Sequence, residues 1–250
     1  MQHGTVGISI GDIFGSHIFN IGIVVGLLAT FGSLKNCSTV SLIELLDLLF
    51  LASLIPLILV AFKIVSPIVG VVLIGIFAIS FYRVSRKRSP PTSDDIKEKL
   101  VKRKKQRASI ILLVTVIAAA IVVLTARFVV LSASELVKLA GISDPKIGAK
   151  IVAIGTSLPE FAFGLIAMKR GRVHLALGDA IGANLTTITL VLGLVLTFSP
   201  FTIETAVFAE ILAFVLIANL ILWRYLTKGG VTQFGGIILI MTYVMFQAIF

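Results

Sequence analysis

A chain of 250 residues that is 58% hydrophobic and 14% charged is not a soluble domain, since those are nearer half apolar and about a quarter charged. Its mean hydropathy of +1.10 reflects repeated apolar runs, close to the ~20 residues that cross a bilayer core of about 30 Å as helix. The alternating pattern of a membrane barrel is absent, and a single cysteine, Cys37, excludes an intramolecular disulfide.

The apolar runs predict an all-α polytopic membrane protein with eight spans, at 6–30, 42–62, 64–82, 109–131, 147–168, 173–198, 202–223 and 231–250. Between the third and fourth spans, RVSRKRSPPTSDDIKEKLVKRKKQR (83–107) holds 11 of the 22 Lys and Arg against three acids. This one loop therefore carries +8 of the net +10, and the rest of the chain is nearly neutral. Such a cluster beside membrane spans is a cytoplasmic topology signal rather than a nucleic-acid site. Its Ser-Pro-Pro-Thr run breaks the chain and marks a boundary between two halves, 1–82 and 109–250, joined by the loop 83–108.

With that loop inside, KRGR at 169–172, the Arg224/Lys228 loop and Lys35 also fall inside. The Ser199–Pro200 loop falls outside and has no basic residue, so the positive-inside rule is obeyed. Ser132 to Lys146 is mildly amphipathic and is expected at the interface.

The two halves contain a repeat. Shifted by 167 residues, MQHGTVGISIGDIFGSHIFNIGIVVGLLATF (1–31) falls on MKRGRVHLALGDAIGANLTTITLVLGLVLTF (168–198), with 12 of 31 positions identical. Gly11/Gly178, Asp12/Asp179, Gly15/Gly182, Gly26/Gly193 and Thr30/Thr197 match without a gap, which apolar composition alone does not produce. By the topology above, the copies cross the membrane in opposite directions. Inverted repeats characterise secondary transporters, whose substrate site lies between the repeats near the bilayer midplane.

The polar residues within spans are where function is expected, because a carboxylate in hydrocarbon is costly unless it faces protein, water or a cation. Glu160 is the clearest, in KIGAKIVAIGTSLPEFAFGLIAM. Pro159 lacks a backbone donor and is expected to disturb the preceding turn, freeing carbonyls near Ala153 to Thr156. Thr156 and Ser157 add hydroxyls. Carbonyls, hydroxyls and one carboxylate suit a hard cation such as Na⁺ or Ca²⁺, not zinc or copper.

On the first span Asp12, Ser16 and Asn20 are spaced four apart and share a face; their equivalents are Asp179, Ala183 and Thr187. Asp12 and Asp179 are either ligands or boundary residues near helix ends. His17 reads as a packed or pore-edge residue rather than a metal ligand, and Glu44, Asp47 and Glu204 as structural acids at helix starts. No nucleophile–base set, HExxH or phosphate-binding loop occurs, so the chain does not read as an enzyme and no cofactor is expected.

AIGTSLPE (153–160) followed by GDAIGANLTTITLVLG (178–193) resembles the second alpha-repeat of the sodium/calcium exchanger superfamily, and GDIFGSHIFNIGIVVG (11–26) resembles the latter part of its first. The resemblance implies a ten-helix fold of two inverted five-helix halves and exchange of Ca²⁺ for Na⁺ or H⁺ by alternating access. It implies metal ligands at Glu160, Thr156, Ser157, the Ala153 carbonyl, Ser16, Asn20 and Thr187. Asp12, Asp179 and His17 stand where that family usually has Asn, and Ala183 where it commonly has Ser. An integral, multi-pass protein of a prokaryotic plasma membrane is the expected setting, with lipid and transported cations as its partners.

Only one half contains a GTSLPE motif. Gly155 precedes Gly178 by 23 residues, and the same spacing from Gly11 falls about a dozen residues before Met1. The expectation is therefore a chain without the first two helices of the ten, through a misassigned start, a split gene whose separate polypeptide supplies them, or a real truncation. The alternative to a working exchanger is a non-transporting truncated subunit or fragment of one.

Overall fold

The computed structural model describes residues 2–32, 34, 37–62, 66–86, 144–198 and 205–250, with isolated helical positions between 112 and 135. Apart from those isolated positions, the span predicted at 109–131 and the interfacial stretch before Asp144 lie outside the described residues, as do most of the loop 83–108, Lys35 and Glu204. In lipid every backbone N–H and C=O must be bonded within the segment, so the apolar runs can only be helical. That is what forms.

Seven continuous helices result among the described residues. α1 runs through Gln2–Phe19, a π-helical stretch Asn20–Val25, and Gly26–Phe31. α2 is Val40–Phe62 and α3 is Pro67–Arg86. α4 (Asp144–Lys169) contains a π-helical stretch Gly148–Val152, and α5 (Val173–Phe198) contains another at Thr187–Val191. α6 is Thr205–Leu226 and α7 is Gln233–Ile249. Val6–Phe31, Val40–Leu59, Asp144–Lys169, Val173–Phe198 and Val207–Leu226 are long and apolar enough to cross a membrane, while Pro67–Arg83 and Gln233–Ile249 are apolar but shorter.

α1 is the axis of the bundle. Its apolar stretch is 83% buried, against 28% for α4 and 44% for α5. Small residues let its neighbours come close. A Cβ on Gly15 would sit 2.3 Å from the Ala149 carbonyl oxygen of α4, and one on Gly22 would sit 2.7 Å from Tyr243 Cβ of α7. Between α3 and α5 the same device recurs, with Gly70 against the Gly193 carbonyl and the Thr197 hydroxyl. Phe19 meets the same Tyr243 edge-on at 5.6 Å.

Loops expected on one side of the membrane do come together. Leu34 pairs with Val231 in an isolated antiparallel bridge, and Ser38 N–H donates to the Gly229 carbonyl at 3.3 Å. Gly32 abuts Met168, immediately before the KRGR turn. Thus the connections after α1, α4 and α6 share a face. Asp47 accepts from Trp223 Nε1 at 2.8 Å, a tie between α2 and α6 that agrees with its structural reading.

One local expectation is modified. Pro159 does not break the helix, since Ala153–Lys169 continues through it. Its missing N–H still leaves the Gly155 carbonyl without its i+4 donor. The larger disturbance comes one turn earlier, in the π-helical Gly148–Val152, where the Ala153 N–H reaches back to the Gly148 carbonyl. The π stretches of α1 and α5 begin at Asn20 and Thr187, which are equivalent under the 167-residue shift. Such widened turns recur at functional sites because they re-aim side chains and carbonyls.

Candidate cation site

The site is assembled where α4 and α5 flank α1. Thr156 Oγ1 donates to Asp12 Oδ1 at 2.7 Å and lies 3.3 Å from the Ala153 carbonyl. Glu160, one turn further along α4, is within electrostatic reach of both Asp12 and Asp179. Three helices therefore bring Asp12, Thr156, Glu160 and Asp179 to one neighbourhood. Ser157 and Ala153 are buried on the inner face of α4, and Thr156 is exposed.

Asn20 enters through a chain of amides. Asn184 Nδ2 donates to the His17 carbonyl at 3.2 Å, and because a carbonyl only accepts, the other end of that amide must be oxygen. Asn184 Oδ1 then accepts from Asn20 Nδ2 at 2.9 Å. The first and sixth predicted spans thus meet through a buried Asn–Asn contact, and Asn20 is left with its oxygen free.

His17 is fixed by a second chain. Ser53 Oγ donates to the Leu49 carbonyl at 2.7 Å and accepts from Asn219 Nδ2 at 2.9 Å. Asn219 Oδ1 therefore faces His17, 2.8 Å from Nε2, which must carry the proton. His17, Ser53 and Asn219 are all fully buried. This is a packed polar strut between α1, α2 and α6.

Among the described residues three buried polar atoms lack a hydrogen-bond partner: Glu160 Oε2, Asn20 Oδ1 and His17 Nδ1. Leaving one such atom unpaired costs about 1–3 kcal/mol. By the bond directions above Asn20 Oδ1 and His17 Nδ1 present lone pairs, and Glu160 Oε2 is a carboxyl oxygen, a set that suits a positive charge. Two are oxygens of the residues on which the resemblance places ligands. Ser16 Oγ donates to the Ile13 carbonyl at 3.1 Å, and Thr187 Oγ1 lies 3.0 Å from the Ala183 and Asn184 carbonyls. Both hydroxyls spend their proton on backbone and keep lone pairs.

No group of three His, Cys, Asp or Glu side chains converges closely enough to hold a metal among the described residues. The donors are instead mixed: carboxylate, amide, hydroxyl and backbone oxygen. That set matches a hard cation which must bind and leave, rather than a resident transition metal. Asn184, Asn219 and Ser53 were not legible as parts of this site. Only Asn184 had a signal, its place opposite His17 in the repeat.

A bundle of apolar helices around a repeated Gly-Asp-x-x-Gly crossing, with buried, unpartnered polar atoms among its described residues, defines a polytopic membrane protein. The family model for the sodium/calcium exchanger protein matches residues 1–85 and 110–250, and the chain belongs to that family. It is 34% identical over 125 residues to the sodium/calcium exchanger MaX1 of Methanosarcina acetivorans, covering 50% of this chain and 36% of that one. It is 28% identical over 251 residues to the putative antiporter CaxA of Alkalimonas amylolytica, covering 98% of this chain and 78% of that one. The solved sodium-calcium exchanger NCX_Mj superposes with a TM-score of 0.69 at 28% identity, over 98% of this chain and 77% of that one. The matched region thus spans about a third of MaX1 and about three-quarters of the other two.

Proposed function

We propose that this chain is a secondary active transporter that exchanges Ca²⁺ for Na⁺ or H⁺ by alternating access. The observation that carries the reading is the pair of buried oxygens on Glu160 and Asn20 that have no partner among the described residues. Glu160 supplies the charge, and Asn20, Ser16, Ser157, Thr156, Thr187 and the Ala153 carbonyl supply neutral oxygens. Asp12 and Asp179 flank Glu160 and draw cations toward it. Halves 1–82 and 109–250 are related by inversion, with loop 83–108 in the cytoplasm of a prokaryotic cell. Family membership favours this reading over a non-transporting subunit.

The finer proposal on partners concerns the open flank of α4 and α5. Among the described residues Gly155 and Gly182 have nothing within 4 Å of an added Cβ, whereas Gly11 and Gly15, the latter equivalent to Gly182, meet the backbone of Pro145 and Ala149. Thr156 is exposed, and Asp179 and Thr187 half-exposed, in helices that cross a membrane, a placement lipid does not tolerate. A further helix with the small-residue chemistry of Pro145–Ala149, carried by a separate polypeptide, covers this flank. A synthetic Asp144–Lys169 peptide bearing Ala149→Cys, inserted in both orientations into nanodiscs, is expected to cross-link to Gly182→Cys and not to lipid-facing Ile217→Cys. Equal cross-linking at both positions would refute the docking.

The exchange itself is tested by Ca²⁺ uptake into membrane vesicles under an imposed Na⁺ or pH gradient, with the chain alone and with that peptide co-expressed. Gradient-dependent uptake in either preparation supports the reading. Uptake no greater than in control vesicles in both contradicts it.

A further inference from the structure

We propose that Asn184 is a positioning residue that turns the Asn20 carboxamide oxygen toward the transported cation. This rests on the reading of Asn20 as a ligand. Asn184 is fully buried and makes two bonds of fixed direction. Its Nδ2 is held by the His17 carbonyl at 3.2 Å, so its Oδ1 can only accept, and it accepts from Asn20 Nδ2 at 2.9 Å. An Asn20 amide rotated by half a turn would set oxygen against oxygen at Asn184 and aim its protons at a positive charge. Both errors are removed by one residue that need not touch the cation.

The repeat explains why one amide does this alone. Under the 167-residue shift Asn184 corresponds to His17, and Thr187 to Asn20. A symmetric arrangement would have His17 return the favour across the crossing. Its imidazole instead turns to Asn219, 2.8 Å away, and binds α1 to α6 and α2. Thr187 needs no such help, because its hydroxyl directs its own proton to the Ala183 and Asn184 carbonyls and presents lone pairs elsewhere. A rotatable amide in one repeat is therefore steered by its neighbour, and a self-orienting hydroxyl serves in the other.

The test is a double-mutant cycle read by equilibrium Ca²⁺ binding to the purified chain. Asn184→Leu keeps the branched shape of the side chain and removes the steering, so Kd is expected to rise about tenfold, the worth of one buried hydrogen bond. In an Asn20→Asp background the same change is expected to shift Kd less than twofold, because a carboxylate offers oxygen whichever way it turns. A merely structural Asn184 would shift Kd equally in both backgrounds, and that result, or no shift in either, overturns the proposal. Asn184→Ala is run in parallel, with thermal melting of the cation-free chain, so that misfolding of one variant does not decide the outcome. Asn20→Leu separates the two ideas: unchanged Kd there refutes Asn20 as ligand, while weakened binding there with an inert Asn184→Leu refutes the steering alone.

Discussion

Glu160→Gln is expected to abolish gradient-driven Ca²⁺ uptake while leaving the protein inserted and folded. Glu160 Oε2 is buried and has no partner among the described residues, so a carboxamide of the same shape forfeits no internal bond. The wild-type side chain also sits within reach of the negative charges of Asp12 and Asp179, which neutral Gln no longer repels. The cation-free variant should therefore melt no lower than wild type. With a divalent cation the sign reverses. Removing one partner of a buried charge pair costs about 3–5 kcal/mol, a loss in affinity of roughly a hundred- to several-thousand-fold. Flux close to wild type in this variant would show that Glu160 is a structural carboxylate.

The second large effect is a contrast between equivalent glycines. Gly15→Val places a side chain where even a Cβ is 2.5 Å from the Ala149 Cα and 2.3 Å from its carbonyl oxygen. Those are backbone atoms and cannot swing aside, so α4 must move away from α1. A loss of about 3 kcal/mol or more in unfolding free energy is expected, at the upper end for overpacked cores. The displacement would also part Thr156 from Asp12, now 2.7 Å apart, so uptake falls with stability. Gly182→Ala is expected to be neutral or stabilising in the chain alone, by up to ~1 kcal/mol of helix propensity, since its Cβ meets nothing within 4 Å. Denaturant unfolding of the two variants checks the pair. Similar losses at both positions would mean that the asymmetry of the two crossings is false.

All three variants fall at positions legible in the chain itself. Gly15, Gly182 and Glu160 stand out in one dimension because glycine spacing, the 167-residue shift and a carboxylate in an apolar run are local or self-referential signals. Helix positions follow for the same reason: 173–198 is the span predicted and found, and α3 begins at Pro67 rather than 64 because proline favours a first turn. The π-helical stretches carried no such signal. An i→i+5 bond depends on what packs outside the turn, as Gly148 does against the Ile8 carbonyl, and not on the residues within it. Nor could the strut be anticipated, since Ser53, Asn219 and His17 meet across separations of 166 and 202 residues. A polar residue on an apolar helix announces that it has a partner without saying which. For Asn20 the partner decides the chemistry, because only the bond it donates to Asn184 Oδ1 shows that oxygen rather than N–H₂ is left over.

The central claim is that the cation sits between Glu160 and Asn20, and its most direct measurement is the position of the ion. Anomalous diffraction from crystals grown with Sr²⁺ in place of Ca²⁺ would locate it without any assumption about transport. The predicted peak lies at the α1–α4–α5 crossing, about 2.3–2.6 Å from Glu160 and Asn20 oxygens, and vanishes in Glu160→Gln. An ion found elsewhere with both oxygens unliganded, or a peak that survives Glu160→Gln unchanged, would contradict the account.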